Sequence, residues 1–271
     1  MATPFLKWAG GKRQLMDEIM SLLPDDFSEF ETYVEPFLGG GSVLINILER
    51  GFQGKVVAGD INKDIILCYR MIKQKHSALI SELEAIQKEI PDDMDERKEF
   101  YKTIRDEWNA GVHQSIESSP KKQIRRAALT ISLNKMCFNG LFRLNSKGEF
   151  NVPMGGNLKV TIYSEENINQ LNLLFMNVEF ICGDYQSILH SIDTNNRCFF
   201  YFDPPYRRLK ETSSLTMYNA DPFDDNEQIR LRDFVDSLVL SGHDFLLSNS
   251  DPKNVDQDDV FFDEAYEKYH I

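Results

Sequence analysis

Within about thirty residues, between Tyr33 and Asp60, the chain holds the outline of a strand, a glycine turn, a helix and a second strand. Residues 33–37 are a short apolar run that reads as a buried strand. Gly39, Gly40 and Gly41 follow, and Ser42 is placed to cap a helix running to about Arg50. Residues 55–60 (KVVAGD) form the second strand, ended by a carboxylate. Two strands joined by a helical crossover lie parallel, so this segment commits the chain to an α/β fold with a parallel sheet.

The rest of the chain continues that pattern after an interruption. Residues 15–23 read as a short amphipathic helix ending before Pro24. From Lys63 to about Asn139 the apolar spacing is helical: Ile65, Ile66, Tyr69 and Ile72 share one face, Phe100, Ile104 and Trp108 another, and Ala128, Ile131, Leu133 and Met136 a third. The polar stretch 113–119 is expected to be a loop. Residues 142–150 (FRLNSKGEF) alternate around a turn at 145–148 and predict a β-hairpin. Strands at 178–182, 198–202 (CFFYF) and 244–247, with helices at 185–191 and 226–240, restore the α/β alternation. The predicted organisation is one sheet domain built from 1–62 and 165–271, interrupted at 63–164 by a mainly helical, partly basic insertion.

Composition narrows the classes. The 271 residues are enough for a large core without disulfide staples. Cys68, Cys137, Cys182 and Cys198 form no CxxC pair, and each is expected to be a reduced, buried thiol. The five histidines have no metal-ligand spacing, so no metal is expected. No run approaches the ~20 apolar residues of a membrane span, and no secretion signal opens the chain, so a cytoplasmic protein without a membrane partner is expected. The net charge of −13 is unfavourable for nucleic acid in bulk. Locally, however, 120–148 carries Lys121, Lys122, Arg125, Arg126, Lys135, Arg143 and Lys147 with no acid. That stretch reads equally as a solvated basic face or as a polyanion contact.

Three motifs carry chemistry. In Glu35-Pro-Phe-Leu-Gly-Gly-Gly-Ser42, Gly39 and Gly41 let the backbone approach a ligand and leave helix N–H groups aimed at it. Asp60, ending the next strand, stands where a carboxylate accepts ribose hydroxyls. The spacing is not that of a dinucleotide fingerprint. Gly10-Gly11-Lys12 is not an ATP loop either, because Arg13 follows where Ser or Thr would bind magnesium. The second motif, Asp203-Pro-Pro-Tyr206, leaves the most apolar strand. Its bland reading is a rigid proline turn. Its functional reading is that the Asp203 carboxylate and the Pro204 carbonyl grip an amine whose lone pair is delocalised into a ring. They would thereby localise that pair and stabilise the developing positive charge. Pro205 stiffens the turn, and Tyr206 offers a π face to a flipped base. The third is Phe5-Leu-Lys-Trp-Ala-Gly-Gly-Lys-Arg13, where Trp8 is suited to pack on a cofactor and Lys7 and Lys12 to reach DNA or a carboxylate.

With these motifs in order, joined by GDIN at 59–62, Asn134-Lys-Met-Cys-Phe-Asn-Gly-Leu-Phe-Arg143, Gly148-Glu-Phe-Asn-Val-Pro-Met-Gly155 and Cys182-Gly-Asp-Tyr185, the sequence resembles the Dam-type DNA adenine-N6 methyltransferases, which mark GATC. The resemblance covers essentially the whole chain. It implies a Rossmann-like S-adenosylmethionine-dependent methyltransferase sheet with a DNA-recognition insertion carrying a β-hairpin, double-stranded DNA as substrate and no stable protein partner. It places Trp8, Lys12, Phe37, Gly39, Gly41, Asp60 and Asp184 at S-adenosylmethionine, and Asp203, Pro204 and Tyr206 at the target adenine. Lys7 and Arg143 would contact the two guanines, and Leu141 and Pro153 the thymine methyl groups. Phe138 and Asn139 would wedge into the base stack. Family members usually continue beyond the stretch matching residues 269–271 with a further hairpin, so an uncovered sheet edge is expected. Two other readings stay open: a methyltransferase acting on RNA or on protein glutamine, the latter usually with Asn at the position of Asp203, and a DNA-binding protein without catalysis.

Overall fold

The computed structural model describes residues 1–8, 10–112, 119–156, 159–207 and 223–270. Strands β1 (Thr32–Glu35), β2 (Lys55–Asp60), β3 (Val178–Cys182), β4 (Cys198–Phe202) and β5 (Asp244–Leu247) form one parallel sheet in the order β3-β2-β1-β4-β5. The chain steps outward from β1 to β2 and β3, then returns to the other side of β1 for β4 and β5. Ligands of open α/β sheets bind at such a reversal, outside the carboxyl ends of the strands. Here the reversal lies between β1 and β4.

Alternation along the strands supplies two cores. Tyr33, Val56, Ala58, Phe199 and Tyr201 face one layer, and Val34, Val57, Cys198, Phe200 and Phe202 the other. The first layer is covered by α2 (Ser42–Glu49), α3 (Lys63–Glu89), α5 (Pro120–Met136) and α6 (Glu165–Leu174); short α1 (Met16–Ser21) and α4 (Met94–Ala110) join the same core. The second layer is covered by α7 (Asp225–Leu240), with Leu231, Phe234, Val235 and Leu238 buried against the sheet. A last short helix, α8, spans Phe261–Ala265. Among the described residues no helix is long and apolar enough to cross a membrane.

Helices α3, α4 and α5 are started by side chains that satisfy orphan N–H groups. Asn62 caps α3, Asp93 caps α4, and Ser119 caps α5 with proline in the first turn. Inside, Arg126 of α5 forks onto Asp64 of α3 at 2.6 and 3.2 Å and stacks 3.4 Å from the ring centroid of Trp108 in α4. One buried guanidinium therefore clamps three helices. Arg125 is paired with Glu82 and Glu107. Arg125 and Arg126 of the basic stretch are thus committed internally, while Lys121, Lys122 and Lys147 are exposed.

Several expectations need correction. β1 ends at Glu35, leaving Phe37 beyond the strand. Ser42 does not cap α2; Gly41 holds that position in a left-handed conformation (φ 67°), and no side chain caps the helix. Residues Tyr185–Ser191 form a 3-10 helix. The hairpin has a single antiparallel bridge, Leu144 to Phe150, with its turn closed by Asn145, whose side chain accepts from the Lys147 and Glu149 N–H groups. Cys182 is exposed, unlike the other three cysteines; it ends β3, the strand at one edge of the sheet. The loop expected at 113–119 lies outside the described residues except for Ser119.

Candidate active site

Asp60, Asp184 and Asp203, the acids singled out beforehand, stand at the carboxyl edge of the sheet together with Glu35, because each closes or follows a strand. Glu35 ends β1, Asp60 ends β2, Asp184 follows β3 and Asp203 follows β4. A cleft opens there, lined by Trp8, Lys12, Glu35, Phe37, Gly39–Gly41, Tyr201 and Asp203, among others.

The glycine loop forms one wall, and its composition follows from what packs on it. A Cβ at Gly39 would lie 2.5 Å from Trp8 Nε1, and one at Gly40 2.7 Å from Trp8 Cβ. Gly39 and Gly41 also have positive φ, so the wall tolerates no side chain in either respect. Asp60 holds the loop in place. Its two oxygens accept from the Gly39 N–H at 2.9 Å and the Asn62 N–H at 2.8 Å, while burial raises its pKa. Phe37 stacks toward Tyr185 with ring centroids 5.2 Å apart, extending an aromatic surface toward Asp184. Asp184 is itself held by Arg230 of α7, through contacts of 2.8 and 3.0 Å.

The opposite wall is the loop after β4. Lys12, only 4% exposed, places its ammonium 2.5 and 2.6 Å from the two Asp203 oxygens and 4.9 Å from the Tyr206 ring centroid. Burial pushes the Asp203 carboxyl up, and Lys12 pulls it back toward the charged form. Lys12, expected among the cofactor groups, lines the same cleft but directs its charge at Asp203. Pro204 is buried and Tyr206 is 40% exposed, a ring face open to a ligand. Below them Glu35 is 2% exposed. Burial raises its pKa to about 8, against the Tyr33 hydroxyl 2.7 Å away, which stabilises the charged form; the charge of Asp203 adds to the rise.

The residues expected at DNA form a second cluster, beside the first. Asn134 of α5, fully buried, accepts from the Lys7 N–H at 2.7 Å and donates to the Lys7 carbonyl at 2.8 Å and the Gly140 carbonyl at 2.9 Å. Gly140 (φ 65°) has no room for a side chain against Lys7. This joint presents Phe138, 51% exposed, and Asn139, left-handed at φ 54°, on the surface next to Lys7. Lys7 Nζ donates to the Lys135 carbonyl. Pro153 is exposed and its carbonyl accepts from Phe138 N–H, while Leu141 is half-buried. Arg143 is oriented by Asn151 through its Nε at 2.8 Å.

The expected site residues therefore fall into two adjoining groups, joined through the segment from Lys7 to Lys12. Sequence reasoning passed over Glu35, Arg230, Gln228 and Asn134 as individual contributors. Glu35 and Asn134 sat inside quoted motifs, and their burial is a tertiary property. Arg230 and Gln228 had no motif at all.

The family described as D12 class N6 adenine-specific DNA methyltransferase matches residues 8–271. The chain is 42% identical over 271 residues to the type II methyltransferase M.MjaIII of Methanocaldococcus jannaschii, covering 99% of this chain and 89% of that protein. It is 34% identical over 249 residues to the type II methyltransferase M1.LlaDCHI of Lactococcus lactis subsp. cremoris (91% and 81%). To the DNA adenine methylase of Escherichia coli (strain K12) it is 33% identical over 247 residues (91% and 80%).

Proposed function

The chain belongs to the D12 class of N6 adenine-specific DNA methyltransferases, and on that footing we propose that it moves a methyl group from S-adenosylmethionine to an adenine flipped out of duplex DNA, within the sequence GATC. The observation that carries this reading is the half-buried Asp203 carboxylate, gripped by Lys12 and facing the Trp8–glycine wall across one cleft.

The residues fit the cofactor on the chain's own terms. The Gly39–Gly41 wall is open backbone, Trp8 and Phe37 give apolar faces, and Asp60 and Asp184 carry acceptor oxygens at neighbouring strand ends. When bound, S-adenosylmethionine supplies a methyl group on an electron-poor sulfur. The protein's part is to make the adenine amine nucleophilic. Asp203 and the Pro204 carbonyl accept its two N–H bonds, turning the lone pair out of the ring. Lys12 opposes the rise that desolvation imposes on the Asp203 carboxyl and so favours the charged form, the stronger acceptor when positive charge develops on N6. The proton lost from N6 has the Asp203 carboxylate as its nearest acceptor. Tyr206, held near Lys12, offers the face on which the extruded base stacks.

The GATC assignment rests on the NGLxR and GEFNVPMG blocks. In it Lys7 and Arg143 contact the guanines, a pairing worth ~1–3 kcal/mol of discrimination each. Leu141 and Pro153 meet thymine methyl groups, and Phe138 with Asn139 fills the space the adenine leaves. In this proposal 63–164 is the recognition insertion and 1–62 with 165–271 the catalytic part. Asp203, with its carboxylate, fits an adenine amine better than the glutamine amide of a protein substrate.

The test is labelled methyl transfer to a defined duplex library, followed by mapping of the modified base. Wild-type protein should label adenine in GATC, Asp203→Ala should bind DNA without transferring, and Arg143→Ala should relax the choice at one guanine. Transfer surviving in Asp203→Ala would remove the catalytic assignment.

A further inference from the structure

The catalytic loop leaving β4 has an unusual supply of handles. Pro204 and Pro205 have no N–H groups, so two consecutive residues can be held to the rest of the protein only through carbonyls and ring packing. One of those carbonyls is taken. Gln228, in the first turns of α7 and 1% exposed, donates its amide Nε2 to the Pro205 oxygen at 3.0 Å. Its own Oε1 accepts from Asn249 Nδ2 at 3.2 Å, just beyond β5. Asn249 Oδ1 in turn accepts from the Ser250 N–H at 2.9 Å.

The direction of this chain of bonds is forced. A backbone N–H only donates, so Ser250 fixes the Asn249 amide with its oxygen inward and its nitrogen toward Gln228. That nitrogen fixes the Gln228 oxygen, which leaves the Gln228 nitrogen for the Pro205 carbonyl. A carbonyl only accepts, and the sequence of donors and acceptors closes without conflict. Satisfied buried amides of this kind cost little to keep and much to break.

From this we infer that Gln228 is a positioning residue for methyl transfer: by pinning the Pro205 carbonyl it aims the neighbouring Pro204 carbonyl at the target amine. The inference rests on the proposed role of the Asp203–Tyr206 loop and deepens it. Gln228 is not among the residues that line the cleft. It acts through the loop, where a displacement of about 1 Å is enough to cost a large factor in rate. Asn249 acts one step further out, setting which way the Gln228 amide faces.

The experiment is single-turnover methyl transfer by the full chain at saturating S-adenosylmethionine and DNA, comparing Gln228→Leu, Gln228→Glu and Asn249→Ala with wild type. The expected result is a transfer rate constant lowered about tenfold or more in both Gln228 variants and less in Asn249→Ala, with full burst amplitude and with KM for cofactor and DNA within twofold of wild type. A purely structural role gives the opposite split, a reduced amplitude from unfolded protein with an unchanged rate constant, and overturns the inference. So do unchanged rate constants in both Gln228 variants. If Gln228→Leu fails to fold, Asn249→Ala carries the test, because it leaves the buried volume at residue 228 intact. Asp203→Ala serves as the reference. If it still transfers methyl, the function proposed above falls, whatever the Gln228 variants do; if it is inactive and the Gln228 variants are normal, only the positioning role falls.

Discussion

Replacing Glu35 with glutamine should remove a large part of the pH dependence of stability between pH 4.5 and 8. Glu35 lies under the cleft with its ordinary carboxyl pKa raised from 4.5 to about 8, first by burial and then by the charge of Asp203. A raised folded-state pKa means that the native protein binds a proton which the unfolded chain has already released. The stabilisation is complete below about pH 4.5 and is lost progressively as pH rises through about 8. At ~1.4 kcal/mol per unit, the interval corresponds to roughly 5 kcal/mol at its upper bound, and about 3 kcal/mol if the shift is a unit smaller. Glutamine keeps the size and a carbonyl for the Tyr33 hydroxyl but has nothing to ionise. Urea unfolding of both proteins at half-unit steps from pH 4.5 to 8.5 gives the difference directly, with the other titrating groups largely cancelling. The Glu35→Gln protein should be similar to wild type near pH 4.5 and more stable by about 3 kcal/mol or more above pH 8. Parallel stability profiles for the two proteins would refute the argument, since the carboxyl would then be solvated or already charged.

Two further outcomes are expected elsewhere. Gly39→Ala places a methyl group against the Trp8 indole at a backbone position with φ 46°, so cofactor affinity measured by calorimetry should fall about tenfold or more, with the melting temperature changing less than in a core variant. Lys135 has its pKa lowered to about 8 by burial and by the nearby Lys7, so a DNA phosphate brought close would restore its proton. DNA affinity should be full below pH 8 and weaken as pH rises past it, and fluorescence anisotropy of Lys135→Met should show a flatter profile.

The parallel sheet was legible because strands such as CFFYF are apolar without interruption, which a fully buried strand requires. The βαβ unit was legible from its glycines, and the acids at strand ends followed from it. What escaped were features set by neighbours distant in sequence. Gly41, not Ser42, holds the cap position of α2, and a side chain there would run into the hydroxyl of Tyr69 from a different helix. Cys182 is exposed at the end of β3, an edge strand, and strand order is not written in any single strand. Lys12 reads as a loop lysine until a residue 191 positions away comes within hydrogen-bond distance. Arg125 and Arg126 look like part of a basic face, yet Glu82, Glu107 and Asp64 absorb their charge. Gln228 has no local signature at all; its meaning depends on two prolines and an asparagine in other elements.

The amide of Asn134 seals the seventh residue of the chain to a turn more than a hundred positions later, much as a neighbouring strand would. If residues 63–164 choose the target sequence as proposed, an engineer who transplants them from a relative imports half of a lock. The opening segment would then have to travel with them, because the Asn134 amide is bonded to it.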